Sequence, residues 1–319
     1  MSDIAGSPSW QELWANFAIF KDAIWVGGLA GALLGAIGVH VVLRRMVFAS
    51  SAIAQAAALG VALSFWIPAL IDPSGHAAAH AAGPAAHVAP SLLFEPVLWA
   101  IAASLLATLV FVANPVHLHL TRESLLGFVF LASGAGAVIV GDKITQEASD
   151  LAAILFGSAV VVQHVDLILV GIATVVLLGG HVVLWRALLF AGYDPMGARV
   201  QGMPVRALNV FLFLSVGVSV ALCTRALGAL PVFAFSVLPA MAALALTARI
   251  GLVFVLAALL GAVSGVGGYA ISFRGDLPVG ATQTATAAAL LTAALVFRFA
   301  RARYERRART TSAPRTDAA

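Results

Sequence analysis

The sequence predicts an all-α membrane protein, a polytopic bundle of about nine transmembrane helices. Hydrophobic residues make up 61% of the 319 residues and charged residues only 10%, whereas a soluble domain carries about a quarter charged residues. The apolar residues are gathered into stretches of about 20, the length that an α-helix needs to cross a bilayer. The predicted spans are residues 23–43, 47–70, 92–113, 124–141, 164–186, 207–224, 228–248, 250–272 and 278–299.

The charged residues between these spans sort to two sides of the membrane. Most of the 18 basic residues fall on one side, which the positive-inside rule assigns to the cytoplasm. The acidic residues do the reverse, so the N-terminus is predicted outside and the C-terminus inside a cell inner membrane. The cytoplasmic set is Arg44, Arg45, Arg122, Arg186, Arg199, Arg206, Arg249, Arg298, Arg301, Arg303, Arg306, Arg307, Arg309 and Arg315; the outer set is Lys21, Lys143, Arg225 and Arg274, with Asp72, Glu95, Asp142, Glu147, Asp150, Asp166 and Asp276.

The chain divides into an N-terminal interfacial segment (1–22), a transmembrane domain (23–299) and a basic cytoplasmic tail (300–319). Aromatic residues at helical spacing predict a short helix in the membrane interface, with a frayed terminus as the alternative. The tail is expected to contact anionic lipid headgroups. Nucleic-acid binding is disfavoured because no soluble domain is present to shape a groove. The aromatic residues are Trp10, Trp14, Phe17 and Phe20.

The predicted spans contain faces of small residues. Glycines recur at Gly27, Gly31 and Gly35, and again at Gly261, Gly265 and Gly268. Such faces let helices approach closely in lipid, so a compact bundle is expected.

Residues 151–162 are apolar but too few to span the membrane. They predict a half-helix at the outer face. The alternative is a tenth span, which would reverse the charge sorting of all the segments that follow it.

The segment between spans five and six predicts a short cytoplasmic helix. Asp194 followed by Pro195 suits an N-cap and the first helical position, and Gly202 would end the helix after about two turns. A small-residue surface around Ala198 and Gly202 would suit docking into a groove of another protein. The alternative is an ordinary connector.

Five stretches together resemble one protein family. They are LRRMVFASSAIAQAAALGVAL (43–63), ILFGSAVVVQHVDL (154–167), YDPMGARVQGMPVRALN (193–209), RALGALPVFAFSVLPAMAA (225–243) and DLPVGAT (276–282). In order and spacing they are similar to the membrane subunits of zinc/manganese-type ABC transporters, over about residues 27–297. The fold of that family is related to cobalamin and siderophore permeases.

The resemblance implies a set of partners. A homodimer or a pair of similar permeases would dock one cytoplasmic ATPase per protomer, and a periplasmic solute-binding protein would deliver the cargo. The helix after Asp194 would be the coupling helix that contacts the ATPase. The chain itself has no phosphate-binding Gly-Lys-Ser/Thr loop, so it is not expected to be an enzyme, and no covalently bound cofactor is expected.

The chain departs from the family pattern on the second span. Family members usually carry Asp and His four residues apart where this chain has Ser51 and Gln55, and many have Asp where it has Ser158. Ser and Gln are poor zinc or manganese ligands, so these three residues are candidates for a weak translocation path. His40 and His181, each near the inner end of a span, are expected to be packing residues.

The outer loop between spans two and three carries three histidines. His76, His80 and His87 lie in DPSGHAAAHAAGPAAH, and short His-rich tracts favour metal binding. Imidazole suits zinc, copper or nickel, and Asp72 is close enough in sequence to contribute. An Ala/Gly/Pro loop that merely contains histidines is the alternative.

Together these features predict the permease subunit of an ABC importer for divalent metal, with zinc as the expected cargo. Manganese or iron is one alternative cargo. A chelated metal or a polar organic cargo is another, which Ser51 and Gln55 would suit. An intramembrane enzyme is disfavoured by the lack of HExxH or paired intramembrane Asp. An ion-coupled carrier is disfavoured because no midplane carboxylate or histidine is apparent.

The topology is testable by cysteine labelling. A reagent applied from the periplasm should modify a cysteine placed at Ala78 and spare one at Ala308, because an odd number of spans puts these positions on opposite sides. Modification of both positions from one side would refute the odd span count.

Overall fold

In a computed structural model the chain folds as a helical bundle. The structure describes residues 17–71, 95–112, 121–143 and 162–311. Within these ranges it has ten helices and no β-strand. They are α1 (Phe17–Leu43), α2 (Val47–Ile71), α3 (Pro96–Val112), α4 (Arg122–Lys143), α5 (His164–Tyr193), α6 (Pro195–Val200), α7 (Val205–Leu227), α8 (Ala229–Leu246), α9 (Ile250–Gly275) and α10 (Val279–Thr311).

The helices confirm the predicted all-α membrane bundle. Eight helices in the described ranges are long and apolar enough to cross a membrane, and α3 is a shorter apolar helix. Each of the nine predicted spans overlaps one of these nine helices, and α6 is the additional short helix. Helices α1 and α2 are the most buried, whereas α4 and α5 expose most of their surface.

Several boundaries differ from the predicted ones. Helix α5 continues to Tyr193, and α10 runs through the predicted start of the tail to Thr311. Alanine and arginine are good helix formers, and Arg301 contacts Glu305 one turn later at 2.9 Å, so this polar segment extends the helix. Residues 312–319 lie outside the described ranges.

The predicted interfacial helix is not separate from the first span at its C-terminal end. Phe17 and Phe20 belong to α1, and the Phe20 ring lies 5.2 Å from that of Phe273 in α9. The Phe20 contact with α9 shows that the helix and its packing begin before the predicted start of the span at residue 23. Trp10 and Trp14 lie outside the described residues.

The closest helix contact is between α1 and α9. A methyl group added at Gly31 would collide with the carbonyl oxygen of Gly261, and one added at Gly27 would lie 3.3 Å from that of Gly265. At Gly35 the added group would collide with the carbonyl oxygen of Ala257. The predicted small-residue faces therefore meet each other, with backbone against backbone.

Polar contacts tie the helices together at both ends of the bundle. At one end Arg225 of α7 forms an ion pair with Asp166 of α5 at 3.0 Å, and His164 lies 3.1 Å from Asp22 of α1. At the opposite end the Arg44 guanidinium donates to Asn209. We call these the outer and the inner end, after the charge sorting, which places Asp166 and Arg225 on one side and Arg44 on the other. Which end faces the cytoplasm stays a prediction.

The α1–α9 contact predicts a large effect of one methyl group. Gly31→Ala should lower the free energy of unfolding by about 1–3 kcal/mol, because overpacking forces the two backbones apart. The control is Gly171→Ala in α5, where an added Cβ has no atom within 4 Å. Thermal unfolding of the purified protein in detergent measures both, and equal midpoints for the two variants would contradict the proposed role of this contact.

Candidate functional site

Helix α6 begins as its sequence predicts. The Asp194 carboxylate accepts a hydrogen bond from the backbone N–H of Gly197 at 2.8 Å, and Pro195 occupies the first turn. After the helix, Gly202 has a φ of +76°, a conformation that favours glycine. The short helix between α5 and α7 is thus capped at its start and ended by a glycine turn.

The exposed face of α6 differs from the predicted one. Ala198 is fully buried, because it packs α6 onto its own chain, so it cannot belong to a docking surface. Gly202 is exposed, with no atom near an added Cβ. The side chains that project outward are larger and apolar: Tyr193, Met196 and Val200 are 64%, 69% and 88% exposed.

These three side chains define what we call the α6 face. Arg199 of the same helix and Arg206 at the start of α7 are also exposed beside it. An exposed apolar patch with a charged rim is typical of a protein-docking surface. The geometry therefore suits a partner at the inner end, while the coupling role of Asp194, Pro195 and their neighbours stays a prediction.

The turn between α1 and α2 contacts both helices that flank α6. Arg44 donates to Asn209 Oδ1 at 2.6 Å and to the carbonyl oxygen of Leu188 at 2.9 Å. Partial burial lowers the pKa of its guanidinium from the usual value, because desolvation disfavours the charged form. Since Leu188 is in α5 and Asn209 in α7, Arg44 links the start of α2 to both helices that flank α6.

Ser51 and Gln55 lie one turn apart inside the bundle. Ser51 is 6% exposed, and Gln55 is partly buried with its Oε1 lacking a hydrogen-bond partner. An added Cβ on Gly134 of α4 would lie 3.5 Å from this oxygen. The side chains supply neutral oxygens, which suit a weak polar contact with a cargo more than a tight metal site. Ser158 lies outside the described residues, as do His76, His80 and His87 with Asp72.

The structure brings together two histidines that the sequence presents separately. The rings of His40 in α1 and His181 in α5 have centres 5.4 Å apart, and the two residues are 1% and 5% exposed. Aromatic rings flank both, with Phe254 beside His40 and Phe211 beside His181. The signal available in the sequence was that both histidines lie toward the inner ends of their spans.

The hydrogen bonds of this histidine pair are incomplete. His181 Nδ1 lies 2.9 Å from the carbonyl oxygen of Leu177, and its Nε2 lies 3.4 Å from Ser215 Oγ. His40 Nε2 is buried without a hydrogen-bond partner. The pair therefore contains ring nitrogens that no strong donor occupies.

No larger group of metal ligands occurs in the described part of the chain. Among these residues, no three His, Cys, Asp or Glu side chains lie close enough to hold a metal ion. The described carboxylates lie near helix ends, and Asp166 is committed to the ion pair with Arg225.

Comparison with known proteins identifies the family. Residues 16–298 match the ABC 3 transport family. The chain belongs to this family. It is 26% identical over 283 residues to the manganese transport system membrane protein MntC of Halalkalibacterium halodurans, with 88% of each chain covered. It is 22% identical over 227 residues to the high-affinity zinc uptake system membrane protein ZnuB of Haemophilus influenzae, with 71% of this chain and 77% of the relative covered.

Two solved structures have the same fold as this chain. PsaBC from Streptococcus pneumoniae, in complex with Fab, superposes with a TM-score of 0.72 at 21% identity, covering 90% of this chain and 95% of that chain. An inward-facing metal-chelate type ABC transporter gives 0.64 at 15% identity, with 92% of each chain covered. The resemblance predicted from the sequence is confirmed, and the chain is a transport subunit rather than an enzyme.

Proposed function

We propose that the chain is the permease subunit of an ABC importer for divalent metal ions, with zinc as its principal cargo. The observation that carries this proposal is the family match across residues 16–298, which includes nearly the whole bundle. The relatives over that length are named for manganese and zinc transport. The bundle supplies the membrane path, and a separate protein supplies the energy.

Ligand chemistry supports zinc over manganese, although manganese appears in more of the relatives' names. Manganese favours carboxylate oxygens, whereas imidazole suits zinc. In the described spans the buried interior offers His40 and His181 toward the inner end, while the carboxylates lie near helix ends. Manganese or iron remains the alternative metal, and a chelated metal or polar organic cargo is the alternative that Ser51 and Gln55 would suit.

The α6 face supports the proposal of a cytoplasmic ATPase partner. Met196 and Val200 project away from the bundle on a helix that Asp194 caps and Ala198 fixes to the chain. A docked ATPase would bury these apolar side chains and move α6 together with the ends of α5 and α7. The proposed assembly has three further components. A periplasmic solute-binding protein binds at the outer end, a second copy of the permease makes a homodimer, and lipid surrounds the bundle.

Substitution of the α6 face tests the docking proposal. The double variant Met196→Glu/Val200→Glu should weaken ATPase binding by about tenfold or more, because two charges would enter an apolar contact. The matched control Met196→Leu/Val200→Leu keeps the surface apolar and should bind nearly as the wild type does. Co-purification and cargo-stimulated ATP hydrolysis in proteoliposomes measure the effect. Wild-type stimulation in the Glu variant would place the docking surface elsewhere.

A growth assay tests the cargo. In a strain that lacks its own zinc importers, the gene with its ATPase and binding-protein partners should restore growth under zinc limitation. Replacing His76, His80 and His87 by Ala should weaken uptake mainly at low zinc, where capture of the ion limits the rate of uptake. The variant Gln55→Ala should leave the metal preference unchanged. Rescue under manganese limitation alone would replace zinc by manganese, and rescue by neither metal would favour the organic cargo.

A further inference from the structure

We propose that His40 and His181 form a transient binding site for the cargo metal ion inside the bundle, on the side of the inner end. The inference rests on the proposed function, because it takes the cargo to be zinc or another divalent ion that binds imidazole. It locates the ligands on α1 and α5, rather than at Ser51 and Gln55 of α2.

The separation of the two rings suits a shared metal ion. Their centres are 5.4 Å apart. Two imidazoles on one tetrahedral zinc ion, with zinc–nitrogen bonds of about 2.0–2.1 Å, have ring centres about 5 Å apart. Ser215 Oγ lies 3.4 Å from His181 Nε2 and donates its own proton to the Leu212 carbonyl oxygen. The hydroxyl oxygen therefore turns lone pairs toward the same space.

The hydrogen bonding of His181 fixes which nitrogen is a ligand. Its Nδ1 lies 2.9 Å from the Leu177 carbonyl oxygen, which can only accept, so Nδ1 carries the proton. In the neutral ring Nε2 is then unprotonated, and its lone pair faces Ser215 Oγ at the long distance of 3.4 Å. Histidines that bind metals usually donate the other ring N–H to a carbonyl oxygen or carboxylate in this way.

His40 supplies the second observation. The residue is 1% exposed and its Nε2 has no hydrogen-bond partner, an arrangement that is rare for buried polar atoms. An ionisable side chain within a membrane helix is a functional candidate, and here its neighbour across the helix contact is another imidazole. A metal ion between the two rings would satisfy the nitrogen that the protein leaves unpaired.

The surroundings make the site weak, as a transport path requires. Two imidazoles and one hydroxyl are fewer and poorer ligands than a structural zinc site has. Beside the pair, His40 and Arg44 line a small cavity of about 20 Å³, which has room for about one water molecule and which His181 and Ser215 do not line. The Arg44 charge repels a bound cation, so the ion is held briefly and can be released.

Metal binding to the purified permease tests the site directly. The zinc stoichiometry and affinity of the full chain in nanodiscs are measured by equilibrium dialysis, with cobalt as a spectroscopic probe. The double variant His40→Gln/His181→Gln should weaken binding at one site by about tenfold or more. The control His164→Gln removes an exposed histidine at the outer end and should leave that site intact. Unchanged binding in the double variant overturns the proposal.

A second measurement needs no substitution of the proposed ligands. It therefore tests the site even where the double variant fails to fold. His76, His80, His87, His117, His119 and His164 are replaced by Ala, which leaves His40 and His181 as the two histidines of the sequence. X-ray absorption of the zinc-loaded protein should then show two imidazole ligands on the metal. One imidazole or none overturns the proposal.

Transport separates this inference from the proposed function. Wild-type complex in proteoliposomes should take up zinc, and the double variant should do so at least about tenfold more slowly while it still binds the ATPase. Normal zinc uptake by the variant overturns the histidine site and leaves the proposed function standing. Failure of the wild type to transport any divalent metal overturns the proposed function, and this site with it.

Discussion

The direct backbone contact of α1 with α9 is the constraint on which the rest of the bundle depends. Gly31 and Gly261 meet backbone against backbone, and Gly27 meets Gly265 beside the Gln283 amide, which donates to the Gly265 carbonyl oxygen. In lipid, association of helices relies on close van der Waals packing because the apolar solvent offers little hydrophobic drive. A side chain at these positions would separate the helices. It would also shift His40, which lies on α1 more than two turns beyond this contact.

Helix α1 therefore connects the two ends of the molecule. Near the start of α1, Asp22 contacts His164 of α5. Along its length α1 packs on α9. Just after its end, Arg44 donates hydrogen bonds to Asn209 and to the Leu188 carbonyl oxygen. Helix α6 connects α5 to α7, and Arg44 is hydrogen-bonded to both of these helices. A displacement of α6 would therefore be transmitted through Arg44 to the start of α2. The proposed docking surface and the proposed path are thus mechanically linked by one guanidinium group.

The sequence predicted the features that depend on local chemistry or on membrane physics. Span positions follow from apolar length, the cap of α6 follows from Asp194 and Pro195, and the close packing follows from the glycine spacing. It failed where the answer depends on tertiary contacts. The burial of Ala198 depends on how α6 packs against its own chain, and the meeting of His40 with His181 depends on the relative rotation of α1 and α5. Neither the rotation of a helix nor its packing against other helices can be read from the mean hydropathy of a span.

The length of α10 has a consequence for the inner end of the bundle. Its 33 residues make a helix of about 50 Å, given about 1.5 Å per residue, whereas the hydrocarbon core of a bilayer is about 30 Å thick. The helix is therefore longer than the hydrocarbon core requires, and its C-terminal part, which carries Arg298, Arg301 and Arg303, would project beyond the core as a helical rod. In an assembled transporter this rod would restrict the angles from which a cytoplasmic protein can approach the inner end.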